Sequence, residues 1–296
     1  MTTAPLSVIV PVYNGAATVA TTIQALHRQT LPAAELIVVD DGSGDGTAEL
    51  LTELAGVRVV RLASNQGRAC ARNAGARVAS QPWLLFLDND RVPADENFIA
   101  SHQQGLQQGA AGVCGPVDAL GSSFWARYQR QGAWTAAGPL PLSAFSSANF
   151  SMRRDLFVTL GGFDERYRGY GFEDRDLYAR VLDTGAHFML CPAAQALHTD
   201  TLSLAKVWSK LRECGADSAV LFSKDHPGHY RRMRYWYFDA RHQRLLRPLG
   251  SLLSHLLPPT LNRAQAVLDR ESLPYALRRG LAQAYSAAAY LVGTCR

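Results

Sequence analysis

The chain has 296 residues, 47% apolar and 19% charged, enough for a sizeable core but short for three domains. Its longest apolar runs, such as Trp83–Leu87, are far too short to span a bilayer. The formal charge of +5 hides an asymmetry: residues 1–200 carry 15 basic and 19 acidic side chains, residues 201–296 carry 15 and 6.

Ser7–Pro11 reads as a first strand, closed by the turn signal Tyr13-Asn14-Gly15. Thr18–Gln29 has helical spacing, with Val19, Ile23 and Leu26 on one face. Glu35–Asp40 is a second strand, and its Leu-Ile-Val-Val run is typical of burial on both faces. A Gly-rich loop and a helix over Thr47–Leu54 follow. Val57–Leu62 is a third strand, Arg68–Ala79 a third helix and Trp83–Leu87 a fourth strand. This βαβαβαβ pattern predicts an α/β fold with a doubly wound, mostly parallel, Rossmann-like sheet and right-handed crossovers.

Carboxylates close two of these strands. Asp40-Asp41 follows the second and Asp88-Asn89-Asp90 the fourth. In an open parallel sheet the ligand crevice lies beyond the carboxyl ends of the strands. The pattern therefore aims four carboxylates at one crevice. They would repel a phosphate unless a hard divalent cation, Mg²⁺ or Mn²⁺, lay between. A metal-assisted site for a phosphorylated ligand is expected. A carboxylate at Asp40-Asp41 can also accept a nucleobase imide N–H, while Asp45 or Ser43 can cap the following helix. A dinucleotide oxidoreductase fits poorly, because no GxGxxG follows the first strand.

From Gly109 the pattern changes. Ala111–Val117 is expected to be a strand, Ser122–Pro141 irregular, Asn149–Arg153 a strand and Arg154–Leu160 a helix. Gly161-Gly162-Phe163 is a turn. Gly171-Phe-Glu-Asp-Arg-Asp opens a helix through Leu182; His187–Cys191 and Ala196–His198 are late strands, and everything beyond Leu202 reads as helix. The five cysteines are odd in number and form no CxxC pair, as in a reducing compartment, so most are expected to be small core residues. The N-terminus lacks a basic region before its first strand, so no secretory signal is expected.

The segments SVIVPVYNG (7–15), LIVVDDGSGDGT (36–47), NQGRACARNAG (65–75), WLLFLDND (83–90) and GGFDERYRGYGFEDRDLYAR (161–180) occur in this order. Together they resemble the family-2 glycosyltransferases, inverting enzymes of the GT-A fold, over roughly residues 5–200. The resemblance implies a nucleotide-sugar site lined by Pro11, Tyr13, Asn14, Asp40, Asp41, Arg72 and Asp88. It implies a divalent cation, Mn²⁺ or Mg²⁺, held by the DxD acids Asp88 and Asp90 and by His198. It implies Asp174 as catalytic base, with Glu173 positioning the acceptor. A carboxylate in that role removes the proton of an attacking hydroxyl. The alternative for Glu173-Asp174 is an acidic first turn that merely complements the helix dipole, and the GYGFED context speaks against it.

The activity so implied moves a sugar from a nucleoside diphospho-sugar, a UDP-sugar by preference, to a hydroxyl of a glycan or lipid-linked acceptor. Residues 1–200 would form the GT-A catalytic domain and residues 201–296 a basic helical extension. No nucleic-acid partner is expected. The extension mixes arginines with aromatics at Arg231–Phe238, and Leu245–Leu257 and Ala276–Val292 have the pattern of surface helices. Two readings of it stand. It faces the inner surface of a membrane as part of a cytoplasmic, peripheral protein, or it packs into its own core or a homodimer contact. The other functional reading is a non-catalytic nucleotide-binding protein of GT-A type that docks through this tail.

Overall fold

The computed structural model describes residues 5–107, 109–119, 123–130, 137–199 and 202–295. The elements run β1 (Leu6–Val12), α1 (Val19–His27), β2 (Glu35–Asp40), α2 (Thr47–Glu53), β3 (Arg58–Arg61), α3 (Arg68–Val78), β4 (Trp83–Leu87) and β5 (Arg91–Pro93). Next come α4 (Phe98–Gln107), β6 (Gly112–Cys114), β7 (Val117–Ala119), α5 (Phe124–Arg130), β8 (Gly138–Pro139), β9 (Asn149–Arg153), α6 (Arg154–Thr159) and α7 (Glu173–Asp183). The chain ends with β10 (Phe188–Leu190), β11 (Ala196–His198), α8 (Leu204–Ala216), α9 (Ser218–Asp225), α10 (Pro227–Arg232), α11 (Arg247–Leu256), α12 (Leu261–Leu268) and α13 (Tyr275–Thr294).

Two compact units emerge. The first comprises Met1–Leu120, Gln129–Arg166 and Leu177–Asp200; the second comprises Gly121–Tyr128, Tyr167–Asp176 and Thr201–Arg296. The first unit holds an eight-stranded sheet in the order β3-β2-β1-β4-β9-β6-β10-β8. The four opening strands are parallel, as their βα repeat predicts, and β9 enters antiparallel between β4 and β6. The sheet is α/β and mostly parallel.

Both faces of its centre are buried. Val8, Val10, Val38, Leu85 and Leu87 share a core with Ile23 and Leu26 of α1 and Phe98 and Ile99 of α4. On the other face Phe86 stacks on Phe150 at 4.9 Å and meets Phe163 edge-on. The outer strand β3 differs: its Arg58, Val59 and Arg61 are exposed. Arginines on such an edge discourage pairing with another chain.

The expected strand over Ala111–Val117 is two strands in different sheets. β6 lies in the large sheet, whereas β7 pairs with β11 in a three-stranded sheet ordered β5-β11-β7. The break falls at Gly115-Pro116. Proline brings no N–H to a ladder, and a Cβ on Gly115 would sit 1.8 Å from the Ala194 carbonyl oxygen. The stretch read as irregular, Ser122–Pro141, contains α5 and β8, while 122 and 131–136 lie outside the described residues. α5 forms because Phe124, Trp125 and Tyr128 pack on Leu204, Leu268 and Ala282 in the second unit.

The second unit is helical. α8 starts at Ser203, whose hydroxyl accepts the Lys206 N–H, and it crosses α13 closely. A Cβ on Gly215 would lie 2.5 Å from the Tyr290 carbonyl oxygen, and one on Gly293 would lie 2.2 Å from that of Arg212. Tyr230 donates to Asp239, which also holds the Arg241 guanidinium and is fully buried. Among the described residues, no helix is long and apolar enough to cross a membrane. The cysteines form no disulfide; Cys114 and Cys214 are buried and the other three half-buried. Burial pushes the Cys214 thiol up to about 12.

Candidate active site

The site is built at the carboxyl ends of β1, β2 and β4. Pro11 is buried inside β1, and Tyr13, just past its end, is 49% exposed. Asn14 adopts φ +50° and ties the first two loops together. Its N–H donates to Ser43 Oγ and its Oδ1 accepts the Gly44 N–H. Asp45 accepts the Ala16 and Thr47 N–H groups, so it stitches the loops as well as starting α2.

Asp40 and Asp41 are both buried. Asp40 Oδ1 accepts the Ser43 N–H and its Oδ2 lies 3.5 Å from Arg61 Nε. Asp41 accepts the Gln66 N–H at 2.7 Å on one oxygen and the Gly67 N–H at 2.9 Å on the other. Burial raises the Asp41 pKa, more than those two N–H groups lower it. Gly42 between the two loops has φ +72°, and a Cβ there would meet Ser64 backbone at 2.6 Å. Both acids therefore hold loop geometry, and Asp41 positions the start of α3.

That helix reaches the second acidic motif. Arg72 is buried within α3, with its guanidinium 5.3 Å over the Phe163 ring. Its Nη2 donates to Asp88 Oδ1 at 2.8 Å. One helix thus touches Asp41 through its leading backbone and Asp88 through a side chain. Asn73, the next residue, exchanges hydrogen bonds with Phe163 backbone and donates to Glu165. The Gly161-Gly162-Phe163 turn is pinned there, with Arg180 donating to the Leu160 and Gly162 carbonyls.

Asp90 meets a guanidinium and an imidazole. Arg91 Nη1 lies 2.8 Å from Oδ1, and His198 Nε2 lies 3.4 Å from Oδ2. Burial alone would raise the Asp90 pKa, but the His198 hydrogen bond and the Arg91 charge outweigh it and bring it down to about 2. His198 is buried at the end of β11, and Thr199 N–H donates to the Asp90 carbonyl. The Gln129 amide lies 3.2 Å from His198 Nδ1. With the amide nitrogen donating there, the neutral ring carries its proton on Nε2, facing Asp90.

A carboxylate and an imidazole in contact, with a second carboxylate two residues away, are the donor types that suit Mn²⁺ or Mg²⁺. Asp90 and His198 are brought together; Asp88 is turned to Arg72. Among the described residues no group of three His, Cys, Asp or Glu side chains is drawn close enough to hold an ion.

Glu173 and Asp174 open α7 and belong to the second unit. The preceding Gly171 has φ +92° and Phe172 φ +65°. Glu173 and Asp176 are buried, whereas Asp174 is half-buried. Asp176 Oδ1 pairs with His226 Nε2 at 2.9 Å. Asp174 Oδ1 accepts the Arg175 N–H at 2.7 Å. Among the described residues, nothing donates to Asp174 Oδ2. Asp174 is thus the most accessible of the three acids in this turn.

Arg91, Asn73, Gln129 and Arg180 escaped the sequence reading. Arg91 adjoins the acidic motif and was within reach of that reading. Gln129 has no local signal, because only the fold sets it beside His198.

The model of the family described as "Glycosyl transferase family 2" matches residues 7–173. The chain belongs to that family. Validoxylamine A glucosyltransferase of Streptomyces hygroscopicus subsp. jinggangensis is 29% identical over 214 residues, 60% of this chain and 51% of that protein. Alignments with the first curated relatives span 29%, 41% and 51% of their lengths, so the chain covers about half or less of each.

Among solved structures, the mannosyltransferase PcManGT of Pyrobaculum calidifontis, in complex with GDP-Man and Mn²⁺, superposes with a TM-score of 0.65 at 18% identity. The match covers 99% of this chain and 86% of that one. Residues 1–349 of S. aureus TarS, in complex with UDP, give a TM-score of 0.57 at 18% identity, covering 98% and 90%. These likenesses establish the GT-A fold for this family 2 chain.

Proposed function

We propose that this chain is a glycosyltransferase that moves a sugar from a nucleoside diphospho-sugar to an acceptor hydroxyl, with inversion. Family membership supports the reaction class. The observation that carries the site is the Asp90–His198 contact at the ends of β4 and β11, beside Asp88 held by Arg72. Asp88, Asp90 and His198 would hold Mn²⁺ or Mg²⁺, consistent with the Mn²⁺ bound to PcManGT. When bound, such a cation supplies charge neutralisation to a departing diphosphate.

The chain's own residues supply the rest. Pro11, Tyr13 and Asp41 would border the nucleoside, with Tyr13 free to stack on a base. Asp40 and Asn14 hold the two loops that carry them. Arg72 would approach the phosphates from α3, where its charge is already directed by Asp88. Asp174 Oδ2 would take the acceptor proton while the acceptor oxygen bonds to the anomeric carbon and the sugar–phosphate bond breaks, its electron pair leaving on the phosphate. Glu173 would position the acceptor. UDP is the favoured nucleotide, in keeping with the UDP complex of TarS. The acceptor is a growing glycan or a lipid-linked one. Residues 1–200 would form the catalytic domain and residues 201–296 the basic extension.

Calorimetric titration tests this. UDP and GDP are each titrated with and without Mn²⁺ into the wild-type chain and Asp90→Ala. Metal-dependent binding of one nucleotide, lost in Asp90→Ala, is the expected result. Binding of neither nucleotide overturns the donor site and favours a protein that kept the fold without the activity.

A further inference from the structure

α11 has two apolar sides, and only one of them is covered. On the inner side a Cβ on Gly250 would lie 2.2 Å from Cys295 Sγ, so the helix presses directly on the end of α13. Leu253 and Leu257 pack there on the cluster of Trp208, Ala288, Ala289 and Val292. The other side faces solvent. Leu249, Leu252 and Leu256 are 45%, 54% and 55% exposed, and Leu245, one turn earlier, is 95% exposed. At 3.6 residues per turn Leu249, Leu252 and Leu256 fall within an arc of about 60°. Single exposed leucines are ordinary; three aligned along one ridge, with a fourth exposed in the turn just before it, are not.

The charge around this ridge is one-sided. The 43 residues from His226 to Leu268 contain seven arginines and one acid, Asp239. Asp239 is fully buried against Arg241 and Tyr230. Six of the seven arginines, among them Arg244 and Arg247 at the head of α11, are exposed. Arg244 and Arg247 thus set exposed positive charge at the head of the helix that carries the leucines, and the acids Asp225, Asp269 and Glu271 fall outside this stretch.

We propose that the outward face of α11 docks on an anionic lipid bilayer, leucines in the acyl boundary and arginines at the headgroups. An aligned apolar ridge with a cationic surround is what an interfacial helix needs. A nucleic acid would answer the arginines but leave the leucines in water. A second copy of this chain would cover the leucines, but its two-fold contact would set the arginines against their own kind. This inference goes beyond the sugar-transfer reading and does not rest on it.

The test is co-sedimentation of the full chain with phosphatidylcholine vesicles, with and without phosphatidylglycerol, at low and high salt. Leu252→Ser/Leu256→Ser and Arg244→Glu/Arg247→Glu run beside the wild type. These side chains are exposed, though Arg247 also donates to the Ala240 carbonyl, and circular dichroism melts check that both variants fold. The wild type is expected to sediment with anionic vesicles, less so at high salt, and not with neutral ones. Each leucine removed should weaken binding about tenfold, from the burial of one such side chain. Failure to sediment with anionic vesicles overturns the proposal, as does equal binding by the leucine variant. A wild-type dimer in analytical ultracentrifugation that the leucine variant dissociates assigns the face to a second copy and also overturns it.

Discussion

Adjacent acids at one helix start differ in burial. At the head of α7, Glu173 is buried, whereas Asp174 keeps Oδ2 open beyond its bond to the Arg175 N–H. A general base must reach the proton that it removes, and its loss typically costs 10²–10⁴-fold in rate. Asp174→Asn is therefore expected to lower donor-dependent nucleotide release by roughly 10²-fold or more, with nucleotide affinity unchanged in calorimetry. Full turnover in Asp174→Asn combined with none in Glu173→Gln would move the role to Glu173. Asp41 carries a different burden. Its two oxygens accept two backbone N–H groups at the entrance to α3. An amide at that position can accept only one and turns its own N–H₂ against the other. Asp41→Asn should destabilise the chain by about 1–3 kcal/mol, the cost of a buried donor left without an acceptor. Urea unfolding measures this, and an unchanged midpoint would show that the clamp is unimportant.

α3 links the two acidic motifs, and one small residue sets how closely it lies on the sheet. A Cβ on Gly75 would fall 2.4 Å from Ile9 Cγ2 and 3.1 Å from Val39 Cγ2, both fully buried. Gly→Ala in a helix gains up to about 1 kcal/mol in propensity, but overpacking a tight core costs about 1–3 kcal/mol. Overpacking should win, because neither Ile9 nor Val39 has space to move into. Gly75→Ala is expected to unfold at lower urea and to bind nucleotide more weakly, since α3 carries Arg72 to Asp88. A gain in stability would show that β1 and β2 yield. Such contacts are invisible in a sequence, where Gly75 reads only as part of a motif. What was legible had a local cause. The four parallel strands followed from apolar runs, and β2, β4, β9 and β11 fall where the pattern put them. The placing of Asp41, Asp88 and Asp90 just past the ends of β2 and β4 followed for the same reason. The switch of sheets after β6 and the helix α5 depend on partners distant in the chain. Short strands such as β5 are too brief to show an alternation. Gln129 beside His198 and Asn73 beside Phe163 depend on contacts 69 and 90 residues apart.

At the scale of the whole molecule, a buried imidazole governs the response to mild acid. His102 of α4 is fully buried, with Nε2 2.9 Å from Asn149 Oδ1 and Nδ1 2.9 Å from Ser151 Oγ. Asn149 gives its N–H₂ to the Ala194 carbonyl, so its oxygen faces the ring and accepts from Nε2. Burial lowers the His102 pKa from 6.5 to about 4, against the raising effect of the Asn149 hydrogen bond. The native state therefore keeps a neutral ring while the unfolded chain takes up a proton as pH falls below 6.5. This stability is present in full above 6.5 and drains away between 6.5 and about 4. The separation is worth about 3 kcal/mol at its low-pH end. The lowered carboxylates act elsewhere: Asp90 has its ordinary value at 3.8 and its native value at about 2, so its contribution is lost only below this window. Asp41, which is raised, works in the opposite direction, favouring the native state as protons are added. Urea midpoints at pH 7 and pH 4.5 should accordingly fall steeply for the wild type and much less for His102→Gln, which keeps a polar side chain but cannot titrate. Equal falls in both proteins would mean that other groups set the acid limit of this fold.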